Sequence, residues 1–471
     1  MTEKINSSLR ESPIARWIAL ILVSITMFFA YMFIDVLAPL STMLEKELSW
    51  TPEIFGTVGG AEYFLNVFVF FLIFAGMILD KMGVRFTAVL AGTVMVIGAS
   101  IKLYGISNYF CAGGFGYEFF NSFLPNFPAS AKVACIGFAI FGCGVEMAGI
   151  TVSKSIVKWF KGKELAMAMG LEMALARLGV FTVFRLSPYL AEGGDVSKPV
   201  MVCTLFLLIG LLSFIIYFFL DRKLDQQEGV GTAAADPEEE FKVSDIKTIF
   251  KSKTFLIVAA LCVLFYSAIF PFQKFAVGML VSRLNMIPSE AAALFSFFPI
   301  GAMVLTPILG FFLDNKGKGA TMLMVGALLM TVCHSIFALT PSDNFTYGVA
   351  ITAIMILGVS FSLVPAALWP SVPKLVDNKV LGSAYSIIFW IQNIGLMLTP
   401  AIIGAVLKAS NPGVAESIAA GDTLAKYDYT NSMFLFASFG IVAFLLGIWL
   451  KKEDKKNNYG LELPNKKKKI D

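Results

Sequence analysis

Residues 76–85 read GMILDKMGVR, and residues 310–319 read GFFLDNKGKG. Each stretch follows a long apolar segment and contains a glycine, three further residues and an aspartate, followed by basic residues and a second glycine. A simple turn would explain one such stretch, but two copies at equivalent points of the chain are hard to obtain by chance. The sequence therefore predicts an internal repeat, in which the two halves of the chain have similar folds.

The two copies also suggest how neighbouring helices meet. Gly76 and Gly310 are expected to let two helices approach closely, because glycine has no side chain to separate them. Asp80 and Asp314 are expected at helix ends, where a carboxylate can meet the positive N-terminus of a neighbouring helix or the side chain of Arg85. These positions should therefore hold the ends of adjacent helices together.

The composition sets the class of protein. The chain has 471 residues, of which 57% are hydrophobic and only 15% charged, which is too apolar for a water-soluble protein of this length. About 20 apolar residues span a bilayer as a helix, and twelve such runs begin near Trp17, Ile54, Phe86, Val133, Leu165, Val200, Thr254, Ala291, Ala320, Phe345, Leu381 and Ser432. Because the runs are continuous rather than alternating, we predict an all-α membrane protein, with twelve transmembrane helices in two pseudo-symmetric six-helix bundles.

Lysine and arginine residues predict the orientation. With both ends of the chain placed inside, most of the 37 Lys and Arg residues fall in the inner loops, so both termini are predicted to be cytoplasmic. A charged, Gly/Ala-interrupted stretch near the middle of the chain is predicted to be a cytoplasmic linker. The predicted parts are an N-terminal tail at 1–16, a bundle at 17–220, the linker at 221–253, a second bundle at 254–450 and a basic tail at 451–471.

The same composition excludes several functions. The net charge of +4 comes without a basic arm or groove, so no nucleic-acid partner is expected. The six cysteines lie mostly inside spans at irregular spacing, and His334 has no second ligand beside it, so neither a disulfide framework nor a metal site is predicted. With no nucleophile and base pairing and no phosphate loop, we predict that the protein is not an enzyme and has no cofactor.

Two charged residues fall near the middle of predicted spans, Glu146 in the fourth and Arg177 in the fifth. An ionised side chain at this depth is costly unless it faces water or a partner, so each marks a candidate site. The short turn between the spans brings both to comparable height, where they could project into one cavity. A structural ion pair is the competing interpretation, and binding is favoured because a buried pair adds little stability. Glu172 lies roughly 140° around the helix from Arg177, so it is expected to face a neighbouring helix or the inner surface and not the cavity.

Further polar residues of the first half lie one helical turn apart on two spans. Tyr31 and Asp35 are on the first span, and Glu62 and Asn66 are on the second with Tyr63 beside them. Both pairs are expected to line the cavity. Asp35 lies toward the outer end of its helix, so a role in gating competes evenly with contact to substrate.

The second half supplies aromatic and amide groups. Pro271 in the seventh span and the prolines flanking Trp369 in the tenth break the helical hydrogen bonding, which is tolerated only beside protein or a water-filled cavity. Trp369 is therefore expected in the cavity wall, with an interfacial anchor as the alternative. Gln392 and Asn393 in the eleventh span are expected to contact the substrate.

The two motif copies resemble the loop motif of the major facilitator superfamily, with Asn315 in place of the usual basic residue in the second copy. The resemblance covers nearly the whole chain. It implies two six-helix bundles, a central cavity and alternating access by rocking of one bundle against the other. It also implies that Asp80 and Arg85 latch the cytoplasmic side closed, with Gly76 and Asp314 as further gating residues.

Four further stretches resemble one branch of this superfamily, that of the lysosomal dipeptide uniporters and their bacterial relatives. They are WFKGKELAMAMGLEMALARLG at 159–179, IFPFQ at 269–273, AALWPSVP at 366–373 and LGSAYSIIFWIQNIGL at 381–396. The resemblance implies a substrate site at Glu146, Arg177 and Trp369. A dipeptide is a zwitterion whose charged ends are about 5 to 7 Å apart. Our hypothesis is that Glu146 holds its α-ammonium group, or steers a cationic side chain, and that Arg177 holds its α-carboxylate.

These observations predict a secondary transporter of dipeptides or related amino-acid-derived zwitterions. The alternative is a proton-coupled symporter of small organic anions or sugar acids, in which Arg177 binds the carboxylate and Glu146 or Glu62 exchanges a proton. A non-transporting sensor is a third interpretation. The expected partners are the substrate and the lipid bilayer. The proton-coupled alternative adds protons as a third partner. A monomer is assumed from the fold, and the sequence does not specify an accessory subunit. Short loops and missing sorting signals favour a bacterial inner membrane.

Overall fold

The computed structural model describes residues 9–160, 163–228, 243–377, 380–422 and 424–464. Over these ranges the chain is helical without a β-strand, which confirms the predicted all-α class. The N-terminal bundle consists of α1 (Pro13–Ile34), α2 (Ser41–Leu48), α3 (Pro52–Gly60), α4 (Phe64–Phe68), α5 (Phe71–Gly105), α6 (Asn108–Cys111), α7 (Tyr117–Asn121), α8 (Ala129–Phe160), α9 (Leu165–Leu190) and α10 (Ser197–Glu228). Helix α11 (Val243–Lys251) leads into the C-terminal bundle, which consists of α12 (Lys253–Leu284), α13 (Pro288–Phe295), α14 (Phe297–Lys316), α15 (Gly319–Leu339), α16 (Tyr347–Leu375), α17 (Leu381–Ser410), α18 (Val414–Ala419) and α19 (Thr430–Asn457).

We call the side of the molecule on which α10 ends and α12 begins the linker side, and the opposite side the distal side. Both described chain ends lie on the linker side. The backbone N–H of Leu9 donates to the Gln227 side chain at 2.9 Å, and that of Gly319 donates to the Leu461 carbonyl at 3.0 Å. Helices α10 and α19 continue past the bundle limits predicted at 220 and 450. The central part of the predicted linker, 229–242, lies outside the described residues.

Eleven candidate membrane spans are found in the described part of the chain by length and composition. The predicted second span is not recognised as one of them, because it is broken into short pieces. Helix α3 is followed by a single 3₁₀ turn at Ala61–Tyr63, and Phe70, which precedes α5, has a left-handed φ of 55°. The first part of α5 then continues this crossing toward the linker side.

Helix α5 contains a chain reversal at Gly83, whose φ of 75° and ψ of 170° are not helical. The backbone of Glu62 packs against Gly142 of α8, and that of Met95 packs against Gly144. Since these glycines lie at nearly one level of α8, the chain must turn back between residues 62 and 95. It therefore crosses twice between α3 and the end of α5, which supports the predicted total of twelve crossings.

The same turn recurs in the second half of the chain. Gly317, between α14 and α15, has a φ of 73°, close to the value at Gly83. Each of these glycines lies seven residues after the first glycine of its motif copy. A positive φ favours glycine because a Cβ atom would be strained there. The second glycine of each copy therefore forms the turn between two antiparallel helices. This explains why a glycine recurs at the same place in both copies of the motif.

The first glycine of each copy does not behave as predicted. A Cβ atom at Gly76 or at Gly310 would meet nothing within 4 Å. The close helix approach expected at these positions is therefore wrong for the conformation in this structure. The tight contact between the bundles lies on the distal side instead, where a Cβ atom at Gly56 would overlap the carbonyl oxygen of Pro400.

Charged residues around the first motif copy fasten α5, α8 and α10 together on the linker side. Asp80 pairs with Lys154 at 2.7 Å and not with Arg85. Arg85 pairs instead with Asp225 at 3.3 Å. These contacts lie within the N-terminal bundle, so the expected latch between Asp80 and Arg85 is not formed in this conformation. Asp314 lies near the end of α14 on the same side of the molecule.

Asp221 on α10 lies at the centre of these contacts between α5, α8 and α10, and its side chain has no exposed surface. Its carboxylate accepts hydrogen bonds from Lys158 at 2.6 Å, from the indole of Trp159 at 2.8 Å and from the hydroxyl of Tyr217 at 3.2 Å. Asp221→Asn is expected to lower the melting temperature of the purified protein, with a loss of about 2 kcal/mol in stability. The more exposed Asp225→Asn is the matched control and should cost less; an equal effect would contradict this role of Asp221.

Candidate substrate site

Arg177 lies on α9 within a cage of aromatic rings. Its guanidinium carbon is 4.9 Å from the ring centre of Phe361, 5.6 Å from that of Phe270 and 5.9 Å from that of Tyr31. It makes no ion pair with any described residue, so the aromatic faces stabilise the charge through cation–π contacts. The N–H groups of the guanidinium therefore remain available to a carboxylate, which matches their planar, two-pronged geometry.

Both bundles contribute to this cage. Arg177 and Tyr31 belong to α9 and α1 of the N-terminal bundle, whereas Phe270 and Phe361 belong to α12 and α16 of the C-terminal bundle. Pro271 follows Phe270 inside α12 and removes one helical hydrogen bond at this level. A ligand held by Arg177 would contact both bundles at once, as alternating access requires.

Trp369 joins the cage from α16. Its indole N–H donates to the hydroxyl of Tyr266 at 3.2 Å, and Tyr266 stacks on Phe270 with ring centres 5.5 Å apart. Trp369 also stacks on Phe389 with ring centres 4.8 Å apart, and its carbonyl accepts a hydrogen bond from Tyr385 at 3.2 Å. These contacts favour the cavity-wall interpretation of Trp369 over that of an interfacial anchor.

Glu146 lies on α8, and the side chain of Asn393 on α17 is close enough to interact with its carboxylate. Two predicted site residues thus meet across the interface between the bundles. The neighbouring Gln392 is buried, and its amide oxygen lies 3.9 Å from the sulfur of Cys262. Within the described ranges no ion pair joins Glu146 to Arg177, so the interpretation of these two residues as a structural pair does not apply.

Tyr31 lies near both charged groups of the predicted site, Arg177 and Glu146. Its side chain lies within electrostatic range of both Arg177 and Glu146. The acid and the guanidinium thus lie on different helices, each within electrostatic range of Tyr31, and form no ion pair with each other. Glu172 is also in range of Tyr31 and of Arg177. Such a range does not fix the direction of the side chain, so the expected orientation of Glu172 stays a prediction.

The broken second crossing contributes Tyr63 and Asn66. Tyr63 lines a small cavity together with Asp35 and Phe270. Asn66 is 2% exposed, and neither its amide nitrogen nor its amide oxygen has a hydrogen-bond partner in the described structure. Since buried amides are nearly always hydrogen-bonded, these atoms fit the predicted role of Asn66 in binding a polar substrate.

Asp35 joins the two bundles on the distal side of the cage. Its carboxylate accepts a hydrogen bond from the Gln273 amide at 2.5 Å and lies 3.9 Å from the ammonium of Lys274, both on α12. Closer to the distal surface, Lys408 pairs with Glu53 at 2.8 Å. The bundles are thus held together on the distal side, and Asp35 occupies a position from which it can act as a gate.

Sequence reasoning missed two buried lysines, Lys102 on α5 and Lys274 on α12. Lys102 is 1% exposed, and its ammonium lies 3.5 Å from the ring centre of Phe138 and 4.9 Å from that of Phe33. Both lysines fall inside predicted spans, so the rule that marks intramembrane charges would have found them. The phenylalanines of the cage carry no such signal, since 45 phenylalanines are spread along the chain.

Comparison with known proteins assigns this architecture. The family model described as Major Facilitator Superfamily matches residues 23–400. The lysosomal dipeptide transporter MFSD1 of Danio rerio is 28% identical over 353 residues, which cover 73% of this chain and 70% of that protein. The lysosomal dipeptide transporter MFSD1 of Homo sapiens is 26% identical over 406 residues, which cover 84% of this chain and 80% of that protein.

Solved structures share the fold. The nucleoside transporter NupG matches with a TM-score of 0.66 at 14% identity, covering 92% of this chain and 99% of that chain. A bacterial homolog of the human lysosomal transporter Spinster, in an inward-facing and unoccupied conformation, matches with a TM-score of 0.68 at 13% identity. The match covers 95% of this chain and 99% of that chain. At these identities the likeness extends to the fold alone.

Proposed function

The chain belongs to the Major Facilitator Superfamily. We propose that it carries dipeptides or related amino-acid-derived zwitterions by alternating access. It is a multi-pass membrane transporter and not an enzyme. The relatives named lysosomal dipeptide transporters support the substrate class. The observation that carries the proposal is the caged Arg177, which forms no ion pair within the described ranges and is contacted by aromatic rings of both bundles.

A dipeptide carries one charge of each sign, which the proposed site can meet with one residue each. Its α-carboxylate and α-ammonium groups lie about 5 to 7 Å apart, and the site offers Arg177 as the cation and Glu146 as an acid that forms no ion pair with it. Glu172 is a second acid in electrostatic range of Arg177. Arg177 would hold the carboxylate and Glu146 the ammonium group. Tyr31 lies in range of both charged groups, and aromatic walls such as Trp369 can accommodate side chains of varied shape.

A thermal-shift screen of the detergent-purified protein tests the substrate class, because a ligand of the folded state raises its melting temperature. Dipeptides are expected to stabilise the protein, whereas dipeptide amides, which lack the carboxylate, are expected to lose most of this effect. Stabilisation by dicarboxylates or sugar acids alone would overturn the proposal and favour the proton-coupled symport of small organic anions.

Glu146→Gln is expected to weaken the binding of a dipeptide with a free amino group about tenfold, because a neutral amide cannot neutralise an ammonium group. Binding of the N-acetylated dipeptide should change little. Titration of the melting temperature against each ligand measures both affinities. Glu118→Gln, at an exposed position of α7, is the matched control. Equal losses for the free and the acetylated dipeptide would remove Glu146 from the ammonium site.

We propose that the linker side is cytoplasmic, with the tails at 1–16 and 451–471 and the linker at 221–253 on that side. The excess of basic residues in the corresponding loops supports this orientation. We further propose a bacterial inner membrane as the location and a monomer as the working unit. Labelling of a single cysteine placed in the C-terminal tail, in intact and in permeabilised cells, tests the orientation.

A further inference from the structure

A cavity of about 180 Å³ lies between the two bundles on the distal side. The N-terminal bundle contributes Glu45 on α2 and Trp50, which follows α2. The C-terminal bundle contributes Phe275 on α12 and Tyr427, which precedes α19. The aromatic cage around Arg177 contributes no residue to the wall, so this cavity is separate from the candidate substrate site.

Glu45 is a half-buried acid in the wall of this cavity. Its Oε1 atom accepts a hydrogen bond from the hydroxyl of Tyr427, which joins the two bundles at this point. Its Oε2 atom accepts no hydrogen bond from the described residues, and none of their lysine or arginine nitrogens lies within ion-pair distance of the carboxylate. Since charges removed from water are usually paired in proteins, this carboxylate favours a ligand that brings a positive charge.

The other charged residues of the cavity lie at its exposed rim. They are Lys46, Asp422 and Lys426, and two of them have partners of their own. Asp422 accepts a hydrogen bond from the backbone N–H of Leu424 at 2.8 Å, and the ammonium of Lys426 donates to the side chain of Asn285. Water and salt screen exposed charges far more strongly than buried ones. Glu45 therefore sets the charge preference inside the cavity, and that preference is for a cation.

Aromatic rings from both bundles line the cavity. Trp50 is 1% exposed, and its indole N–H donates to the hydroxyl of Ser130 at 3.0 Å, which fixes the plane of the ring. Phe55 and Phe275 pack edge to face across the bundle interface, with ring centres 5.5 Å apart. Aromatic faces attract cations and also pack on other aromatic rings. An apolar cavity of about 150 Å³ is enough to hold benzene, so a cavity of about 180 Å³ can hold one ring with a short ammonium-bearing arm.

We propose that this cavity is a second ligand site, which binds a compact aromatic amine and thereby holds the distal side closed. The ammonium group of the amine pairs with Glu45, and its ring packs against Trp50 and Phe275. Because the walls belong to different bundles, they separate when the distal side opens, and the site then ceases to exist. A ligand that binds one conformation shifts the population toward it. The amine therefore inhibits transport without entering the substrate site.

Binding is tested by calorimetric titration of the detergent-purified full chain with 2-phenylethylamine, in the absence of any dipeptide. The neutral 2-phenylethanol and the anionic 3-phenylpropionate have nearly the same shape and serve as matched ligands. Both are expected to bind at least about tenfold more weakly than the amine, because neither can form a charge-assisted contact with a carboxylate. Equal binding of the amine and the alcohol would overturn the amine site.

Glu45→Gln keeps an acceptor for the hydroxyl of Tyr427 but removes the charge, and it is expected to weaken the binding of 2-phenylethylamine about tenfold. Glu290→Gln, at an exposed position of α13 outside the cavity wall, is the matched control and should bind as the wild type does. Ala425→Phe places a ring in the cavity while Glu45 keeps its charge, and it should abolish binding. Unchanged affinity in Glu45→Gln and Ala425→Phe would overturn the site.

Glu146→Gln separates this site from the substrate site, since Glu146 is the proposed partner of the dipeptide ammonium group. The variant is expected to bind 2-phenylethylamine as tightly as the wild type. A loss of affinity equal to that of Glu45→Gln would place the amine in the substrate site and overturn the second site.

The inhibition rests on the transport proposed above, whereas the binding does not. In proteoliposomes, 2-phenylethylamine at ten times its dissociation constant should lower dipeptide uptake about tenfold, because roughly one molecule in eleven then has the site free. Uptake by Glu45→Gln should respond far less. If the amine binds at Glu45 but uptake by the wild type is unchanged, the proposed hold on the distal side is wrong. If the wild type takes up no dipeptide without the amine, the proposed function fails, and the calorimetric result still decides on the site.

Discussion

Arg177→Lys is expected to lower the affinity for a dipeptide about 100-fold and to reduce uptake to background, although the positive charge is kept. A planar guanidinium can lie against three aromatic rings and still present two parallel N–H groups to a carboxylate. An ammonium group on a flexible stem cannot do both. Loss of a charge-assisted contact in a desolvated site costs about 3 kcal/mol, which corresponds to roughly a hundredfold in affinity.

Arg185→Lys is the matched control, since Arg185 lies two turns further along the same helix. Its Nε donates to the hydroxyl of Ser296 at 3.0 Å, and its guanidinium carbon lies 5.4 Å from the ring centre of Phe181. This variant should bind dipeptide as the wild type does. Thermal-shift titration gives the affinities, and uptake into liposomes at matched protein amounts gives the rates. Normal affinity in Arg177→Lys would show that no guanidinium fork holds the carboxylate.

The repeat could be predicted from the sequence because the chemistry of its turns is local. Gly83 and Gly317 adopt positive φ, so glycine is favoured at both positions whatever packs around them. The break in the second span could not be predicted in the same way. No proline marks the 3₁₀ turn at Ala61–Tyr63, and a mean over apolar residues does not respond to a local change of helix type.

The site could be predicted only in part. Intramembrane charge is conspicuous in a sequence and marks Glu146 and Arg177 as candidates, yet the partners of these residues depend on packing between distant helices. Asp80 shows this well, because Arg85 is near in sequence while Lys154 of α8 is near in space. The close helix approach expected at Gly76 depends on which side of the molecule is closed. A sequence does not specify one conformation, so it could not predict whether this contact is formed here.

The distal contact between the bundles depends on small residues of α3. Gly56 and Gly60 lie one helical turn apart and face the backbone of α17, where Cβ atoms would overlap the carbonyl oxygens of Pro400 and Met397. On the other helix, a Cβ atom at Gly404 would overlap the carbonyl oxygen of Pro52. Such overlaps with backbone cannot be relieved by turning a side chain. Glycines at this spacing allow two helices to approach closely within a membrane.

Gly56→Ala is therefore expected to prevent closure on the distal side and to reduce net uptake more than tenfold, since every transport cycle must pass through the closed state. A cysteine at Val58, which is buried and lines a cavity beneath this contact, reports the state. In a background without the native cysteines, it should react with a membrane-impermeant maleimide from the distal side much faster in Gly56→Ala than in the parent.

Gly149→Ala on α8 is the matched control for this substitution, because its Cβ atom would meet nothing within 4 Å. It should leave both uptake and labelling unchanged. If Gly56→Ala transports normally, the tight packing of α3 on α17 is not required for closure. If it loses uptake while Val58→Cys stays protected, the substitution acts within the N-terminal bundle and not on the approach of the two bundles. Only loss of uptake together with faster labelling supports a gate formed by the glycine contact.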